Sequence, residues 1–581
     1  MANEGGADCS CAPGSTKVCY SGPPSTVGVG LCHGGMQSCL PSGSGYDACA
    51  GEVTPVPETC MTPGDDDCDG LTNEEGLGCV CPPDSMIACY TGPAGTAGMG
   101  ICKAGTATCN AQGTAYEPCE GEVLPQIENC NTPDDENCDG SPGPCAADPA
   151  WGKGFPAPGG MNVRMVAVDA QGNVIIGGQF HGTVDFGGGP LVSVGNPGFN
   201  IYVAKFDGLG NHLWSKRFGD GVGSTGQSVQ GLAFDATGNI LMTGAFSGTI
   251  NFGGGVFSGP GANSTDIYVT KLDPNGGHIW SHQYGNANQS HYEFGTGITA
   301  DPAGNVLVTG NFYSSIDFGG GLLSLQNNNS LFILKLDAAG NHLWSKGSGA
   351  ASSVSTIAAD GVGNVLVTGD FAGTMNLGGA PLQSQGQDLF VAKLSSTGAH
   401  LWSKRFGDVS GEMGRSITAD GDGNVVITGN FDKTLNFGAG NLGGGAPSGT
   451  HKGFVAKFDP NGGHIWSRGF GDVYADSMSV AVDAGKNVLI AGEVRGNVDF
   501  GGGAIPGGDQ FPDIYVTKFD PAGNLSWAIR TGDLDPQSAF GIATNAAGDP
   551  FVTGTYTGTI QLGGAPLSSM VLSVFLSRLV P

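Results

Sequence analysis

Cysteine is missing from most of this chain, and basic residues are scarce throughout it. All 17 Cys lie between Cys9 and Cys145, and the 436 residues that follow carry none. Only 23 Lys and Arg stand against 52 Asp and Glu, for a formal net charge of -29. Phosphate and anionic lipid surfaces are held by basic clusters, so the charge balance argues against nucleic acid and membrane-surface partners. Long apolar runs are absent too. The longest are about five residues, such as 86–90, far from the roughly 20 a membrane helix needs. Glycine is abundant, at 106 residues, but follows no Gly-X-Y period, which excludes collagen. At 581 residues the chain is too long for one ordinary core, so several units or a repeat array are expected.

Residues 1–147 hold all the cysteine, 20 acidic residues and only two basic ones, Lys17 and Lys103. This density in a Gly- and Pro-rich segment reads as a disulfide framework formed in an oxidising compartment. The chain opens Met1-Ala-Asn-Glu-Gly-Gly without a charged or apolar leader, so it reads as a mature or trimmed form of an exported protein. The segment repeats itself at an offset of 70. Cys9, Cys11, Cys19, Cys32, Cys39, Cys49, Cys60 and Cys68 reappear as Cys79, Cys81, Cys89, Cys102, Cys109, Cys119, Cys130 and Cys138. Two units follow, 9–78 and 79–147, after a tail over 1–8. Eight Cys allow four bridges per unit, but spacing leaves their pairing open, and Cys145 is left over. The wide gaps and the single nearby His33 argue for staples rather than zinc.

Each unit ends in an acidic loop. The first reads Asp65-Asp66-Asp67-Cys68-Asp69-Gly70-Leu71-Thr72-Asn73-Glu74-Glu75. Oxygen side chains at alternate positions before a glycine turn suit a hard cation, and calcium takes six to eight oxygens. Asp65, Asp67 and Asp69 would give carboxylates, Leu71 a carbonyl, and Asn73 and Glu74 further oxygens. The second loop offers Asp135, Asn137 and Asp139 but then runs Gly140-Ser-Pro-Gly, without later ligands. The segment resembles the cysteine-rich repeats with an Asp-Asp-x-Cys-Asp-Gly signature in secreted myxobacterial proteins. That resemblance implies a surface location and a metal-binding role for the loops.

All seven Trp belong to a second series. Trp151, Trp214, Trp280, Trp344, Trp402, Trp466 and Trp527 follow one another at steps of 63, 66, 64, 58, 64 and 61 residues. Most sit in a motif such as Asn211-His-Leu-Trp-Ser-Lys. Upstream of each of the last six lie three alternating segments, such as Asn364-Val-Leu-Val-Thr-Gly, separated by turns containing Gly. Four short strands per repeat predict an all-β array of β-propeller blades. The last repeat stops after three strands, while Trp151-Gly-Lys-Gly-Phe155 looks like an orphan fourth strand. The expectation is a seven-bladed propeller over 148–581, with the N-terminal strand closing the last blade. Closure would pair both open edges.

The repeats resemble the bacterial β-propeller repeat family, at Asp301-Pro-Ala-Gly-Asn-Val-Leu-Val-Thr-Gly and Val455-Ala-Lys-Phe-Asp. The stretch Leu272-Asp-Pro-Asn-Gly-Gly-His-Ile-Trp-Ser also resembles the tryptophan-docking motif of quinoprotein dehydrogenase propellers, which implies that the Trp locks neighbouring blades. Both resemblances bear on fold, because propellers host unrelated activities.

Counting strands outward from the axis, the one–two turns (169–173, 235–239, 420–424) and three–four turns (207–211, 273–277, 337–341) are short and alike. They should share one face, where residue 148 brings the chain into the ring. The two–three loops (187–200, 253–266, 438–453) and four-to-next loops (219–228, 285–297, 471–477) vary, and should form the recognition face opposite. Candidate ligand-binding residues there are Asp220, Asp408, Asp472 and Asp533, with aromatic Tyr292, Phe294, Tyr474 and Phe511 for stacking on sugars. The alternative for the acids is capping of their own turns. Asp185, Asn251, Asp317, Asn376, Asn436, Asp499 and Gln561 recur once per blade, which points to a structural role. So do His212, His278, His342, His400 and His464. No Gly-x-Ser-x-Gly elbow or phosphate loop is present, so catalytic residues and an organic cofactor are not expected. The expected function is non-enzymatic extracellular binding or adhesion toward a polysaccharide or surface protein. A self-associating structural subunit is the rival, and a secreted hydrolase the third reading.

Overall fold

The computed structural model describes residues 10–57, 64–71, 80–92, 95–124, 138, 150–195, 198–219, 226–259, 264–285, 292–324, 329–443, 451–508 and 510–580. The chain divides into two compact units, Met1–Ala146 and Ala147–Pro581. No helix of the described residues is long and apolar enough to cross a membrane.

In the first unit the two cysteine repeats fold alike. A hairpin pairs Thr16–Cys19 with Gly35–Ser38, and another pairs Met86–Cys89 with Gly105–Thr108. With so few apolar side chains to bury, covalent links replace a core. Cys11–Cys39, Cys19–Cys49 and Cys32–Cys68 recur 70 residues on as Cys81–Cys109, Cys89–Cys119 and Cys102–Cys138. The tyrosine after the hairpin strand bonds a threonine in both: Tyr20 to Thr26 and Tyr90 to Thr96, each at 2.7 Å. Cys9, Cys60, Cys79, Cys130 and Cys145 lie outside the described residues.

The second unit is a ring of seven four-stranded antiparallel sheets. Blade one runs Met161–Val168, Val174–Phe180, Asn200–Phe206 and His212–Phe218, from the axis outward. Blade seven takes Gln537–Thr544, Pro550–Ile560 and Leu567–Arg578 from the C-terminus and Trp151–Pro156 from the start of the unit. Trp151 pairs with Arg578 and Gly154 with Phe575, as the orphan-strand argument requires. Middle strands are buried on both faces: Asn200–Phe206 and Ile240–Phe246 are buried throughout, so each seam between blades is an apolar core. Phe186, Phe252, Phe318, Leu377, Phe437, Phe500 and Leu562, one per blade, are inserted into those seams.

The tryptophans lock the ring. The indole Nε1 of Trp214 donates to the Pro274 carbonyl of the next blade's three–four turn at 3.1 Å. Trp151, Trp280, Trp344, Trp402 and Trp466 do the same to Gly208, Ala338, Ser396, Pro460 and Pro521 at 3.0–3.1 Å. The turn's glycine has to be glycine: Gly210 has a φ of +80°, and a Cβ there would stand 3.0 Å from the Trp151 ring. Trp527 Nε1 is buried without a partner. The physical reason is topological. Blade seven has no three–four turn, since its last two strands come from opposite parts of the sequence.

Candidate functional site

The short-turn face satisfies its own polar groups. The aspartate opening each one–two turn accepts from the backbone of the same turn; Asp169 Oδ1, for example, accepts from Gln171 N at 3.0 Å and Asn173 N at 2.8 Å. Its other oxygen meets a buried lysine from the third strand. These pairs are Asp169–Lys205, Asp235–Lys271, Asp301–Lys335, Asp360–Lys393, Asp420–Lys457 and Asp483–Lys518, at 2.7–3.3 Å. In blade seven Asn545 and Asp549 exchange places, and Arg578 pairs with Asp549 at 2.5 Å. Burial alone would raise the Asp235 carboxyl; hydrogen bonds from Asn239, Lys271 and Thr237 outweigh it and hold it at about 2. A depression of about 800 Å³ opens on this face between blades three and four, beside Pro302, Leu343, Trp344 and Val362. Its Asp301 and Lys335 are paired with each other and its Trp344 is bonded to Ser396, so what it offers is apolar wall.

The two–three connections differ from the expected free loops. In blades one to five each begins with a small ribbon, such as Thr183–Asp185 paired with Pro190–Val192; blade six has a single Val498–Ile505 bridge there, and in blade seven the second and third strands themselves run on. The ribbon packs along its blade's flank, because its tip glycines stack on the histidine opening the fourth strand: a side chain at Gly188 would run into His212, and one at Gly254 into His278. Asp185 Oδ1 caps that tip, accepting from Gly187 N at 2.7 Å and Gly189 N at 3.1 Å. Asp317 and Asp499 do likewise. The per-blade acids and histidines are therefore scaffold.

Two of the four expected acids of the four-to-next loops act as turn caps. Asp408 accepts from Ser410 N at 2.7 Å, and Asp533 accepts from Asp535 N at 3.0 Å and Thr559 N at 2.6 Å. Hydrogen bonds from Ser410 hold the Asp408 carboxyl below the ordinary range. Asp472 stands against the Gly496 turn, and Asp220 lies outside the described residues. Tyr292 and Phe511 are exposed on their loops. Phe294 and Tyr474 are not on loops: each is the first residue of an innermost strand, Phe294–Ala300 and Tyr474–Val482. The strand starts there because Tyr474 pairs with Arg495 and Phe294 with Asn311 across the sheet.

Those strand starts ring the mouth of the central channel on the loop face, and here the structure assembles groups that sequence reading missed. Each innermost strand carries a one-residue bulge, as between Val163 and Met165 or Gly414 and Ser416. The bulged residues are Arg164, Gln230, Thr296, Ser355, Arg415, Met478 and Phe540, in blade order. Their preceding residues are buried, whereas Arg164 is exposed and Arg415 keeps a third of its side chain accessible. Arg415 meets the Asp476 carboxylate of blade six at 3.1 Å. Beside it, Tyr474 Oη donates to Glu493 at 2.8 Å, Ser538 Oγ of blade seven donates to the same carboxylate, and the Arg495 guanidinium lies 4.5 Å over the Tyr474 ring. The Nε atoms of Arg415 and Arg495 are buried without partners. Burial, then Glu493, push the Tyr474 hydroxyl up, so it stays a donor. The only advance signal was an arginine at the fourth position of two first strands, Met161–Val168 and Glu412–Ala419.

In the first unit, Asp65, Asp67 and Asp69 bring carboxylate oxygens within 4.8 Å of one another. Cys68, bridged to Cys32, has a φ of 61°, which turns the loop back on itself. The Asp65 carboxylate accepts from Asp69 N at 3.1 Å and Gly70 N at 2.9 Å, and Asp69 accepts from Leu71 N at 2.8 Å. These bonds leave further oxygen lone pairs for a cation. Asn73, Glu74, Asp135, Asn137 and Asp139 lie outside the described residues.

Comparison with known proteins agrees with the repeat architecture. The family model described as Beta-propeller repeat matches residues 279–311. An uncharacterized WD repeat-containing protein of Acanthamoeba polyphaga mimivirus is 23% identical over 382 residues, which is 51% of this chain and 27% of that protein. Most of that relative's length thus lies beyond the match. With the seven sheets, these matches define a β-propeller repeat protein. Among solved structures, the WD40 domain of Neurospora crassa Pan2 shares 11% identity at a TM-score of 0.37, covering 72% of this chain and 88% of that one. A puromycin hydrolase mutant complexed with PGG shares 10% identity at a TM-score of 0.38, covering 70% and 54%.

Proposed function

We propose that this is an extracellular binding protein, acting without chemistry of its own, whose propeller engages a polysaccharide or surface protein at the loop-face mouth of its channel. One contrast carries the reading. The short-turn face repeats one Asp–Lys arrangement in six blades and an Asp–Arg version of it in the seventh, whereas blades five to seven gather Arg415, Tyr474, Asp476, Glu493, Arg495 and Ser538 at the mouth, a set no other blades repeat. Scaffolds vary where they recognise. The disulfide framework fits an oxidising, extracellular setting, and calcium at Asp65, Asp67 and Asp69 would stiffen the cysteine-rich unit. A glycan and surface-protein array on the full chain tests it. Binding that Tyr474→Ala weakens about tenfold supports the mouth as the site; binding unaffected by Tyr474→Ala and Arg495→Ala rejects it.

A second reading, a subunit of an extracellular assembly, is favoured by the exposed apolar run Met570, Val571 and Leu572 in blade seven, where Met570 is 99% accessible. A monomeric mass at high concentration would exclude it.

A further inference from the structure

The main chain ties neighbouring blades together at the loop face. Between blades two and three, Thr265 bridges Tyr292 in parallel. Glu293 N donates to Thr265 O at 3.1 Å, and Thr265 Oγ1 donates to the Glu293 carbonyl at 2.9 Å. Glu412 N and Gln387 O tie blades four and five at 3.0 Å, and Gln537 N and Pro512 O tie blades six and seven at 3.0 Å. This tie sets two side chains beside each other, from the first residue of one blade's third strand and from the head of the next blade's first strand. Neighbouring strands run about 5 Å apart. A side chain at Gly219 would meet both Asn200 and Gln227, one at Gly407 both Asp388 and Glu412, and one at Gly532 both Asp513 and Gln537. Between blades two and three the pair at this place is Asp266 and Glu293, and Asp266 lies against Gly285 in the same way.

The seams differ in what neutralises the pair. Arg217 donates to Asn200 at 3.2 Å, Arg405 meets Asp388 at 2.5 Å, and Arg530 meets Asp513 at 2.8 Å. Blade two carries Gln283 in the arginine's place, and its Nε2 donates to Asp266 Oδ2 at 2.6 Å. The facing position changes as well. Gln227 Nε2 donates to Thr249 O at 2.8 Å and Gln537 Nε2 to Thr557 O at 3.0 Å, whereas the carboxylate of Glu293 has no N–H to give. Asp266 and Glu293 are 5% and 2% accessible. Among the described residues neither has an ion pair, and Asp266 Oδ1 and Glu293 Oε1 are both buried without a partner. Two adjacent buried carboxylates without a cation are strongly unfavourable, because burial removes the water that would screen them.

We propose that Asp266 and Glu293 hold a calcium ion in the seam between blades two and three, where it does for this pair what arginine does at the other seams. Calcium takes carboxylate, carbonyl and water oxygens at about 2.3–2.6 Å in flexible geometry, so two carboxylates one strand spacing apart suit it. Magnesium demands a near-ideal octahedron and keeps most of its water, which a buried pair does not accommodate. The site is separate from the acidic loop at Asp65 and independent of what the propeller binds. Its work is to fasten blade two to blade three. Without the ion, a shared proton relieves the pair instead.

The test uses the full chain carrying Asp67→Asn and Asp69→Asn, so that the loop of the first unit does not answer for the propeller. Calcium titrated calorimetrically should still bind, and at least tenfold more weakly after Glu293→Gln. Calcium should raise the melting temperature of the propeller in that parent but not after Glu293→Gln. In chelator, Glu293→Gln should melt no lower than the parent, because it replaces an uncompensated charge with the residue that blades two and seven use; a general loss of packing would lower it in both conditions. Gln283→Arg is the reciprocal variant. It supplies the arginine of the other seams, so it should raise the melting temperature in chelator and weaken calcium at least tenfold. No calcium binding in the parent, equal binding after Glu293→Gln, or equal binding of magnesium overturns the inference. So does a calcium-driven rise in melting temperature that Glu293→Gln retains.

Discussion

The indole of Trp151 donates to the carbonyl of Gly208 at 3.1 Å, from the first described strand of the propeller to a turn of blade one. Its strand pairs with the one that ends at Arg578. This short segment therefore completes blade seven and fastens it to its neighbour, so its loss should open the ring. Trp151→Phe should cost about 1 kcal/mol for the hydrogen bond, and Trp151→Ala about 3–5 kcal/mol, measured by denaturant unfolding. Trp527→Phe should cost less than Trp151→Phe, because its Nε1 has no partner to lose.

Reduction should divide the molecule. The six described bridges all lie in the first unit, and no Cys follows Cys145. Each native bridge in so small a unit contributes on the order of 2–5 kcal/mol. Calorimetry in strong reductant should abolish any transition of the first unit and leave that of the propeller in place. A propeller transition that moves on reduction would contradict the assignment.

Two buried glutamates at blade seams predict a decline toward neutral pH. Burial, with Asp266 nearby, raises Glu293 from 4.5 to about 7; burial, with Asp408 and Asp388 nearby, raises Glu412 to about 7. The folded state binds these protons more tightly than the unfolded one, so their contribution is complete below pH 4.5 and lost as pH rises through 7. The melting temperature should fall between pH 5 and 8. Net negative charge pushes the same way, so the control is Glu293→Gln with Glu412→Gln, which should flatten the slope.

The acid limb has the opposite sign. Asp235 is held at about 2 against an ordinary 3.8, and Asp301, Asp360, Asp420 and Asp483 are also lowered, with burial opposed by their lysine and asparagine partners. Stability from these carboxylates should be present above pH 4 and lost as pH falls toward 2. Lys393→Met, leaving Asp360 buried and unpaired, should cost about 3–5 kcal/mol at neutral pH, read from chemical denaturation.

Calcium should bind the first acidic loop. Titration into the full chain is expected to show a site weakened by Asp67→Asn and Asp69→Asn and to raise the melting temperature of the first unit. Identical unfolding in calcium and in chelator would dismiss it.

Blade number, ring closure and the locking Trp were legible because each is a property of repetition: a signal weak in one blade becomes unambiguous when seen seven times. The role of Asp185 and its equivalents as scaffold was legible in the same way. The channel site was not. Arg164 and Arg415 differ from their counterparts, and a one-residue bulge leaves no mark in the alternation that identifies a strand. Phe294 and Tyr474 read as loop residues because a strand's first residue is fixed by its cross-strand partner, which lies on another segment. The ribbons read as free loops because Gly-Gly runs show no preference until a histidine from the fourth strand stacks on them.

The sequence alone determined the periodic features: seven equivalent sheets, the terminal strand exchange, and a cysteine framework confined to one end. Local patterning suffices there, because each repeat states the same hydrophobic and turn preferences again. Only the tertiary structure decided which cysteines pair, which carboxylates cap their own turns, and which side chains from distant blades face one channel. Those outcomes depend on distances between residues far apart in the chain, and no local preference encodes them.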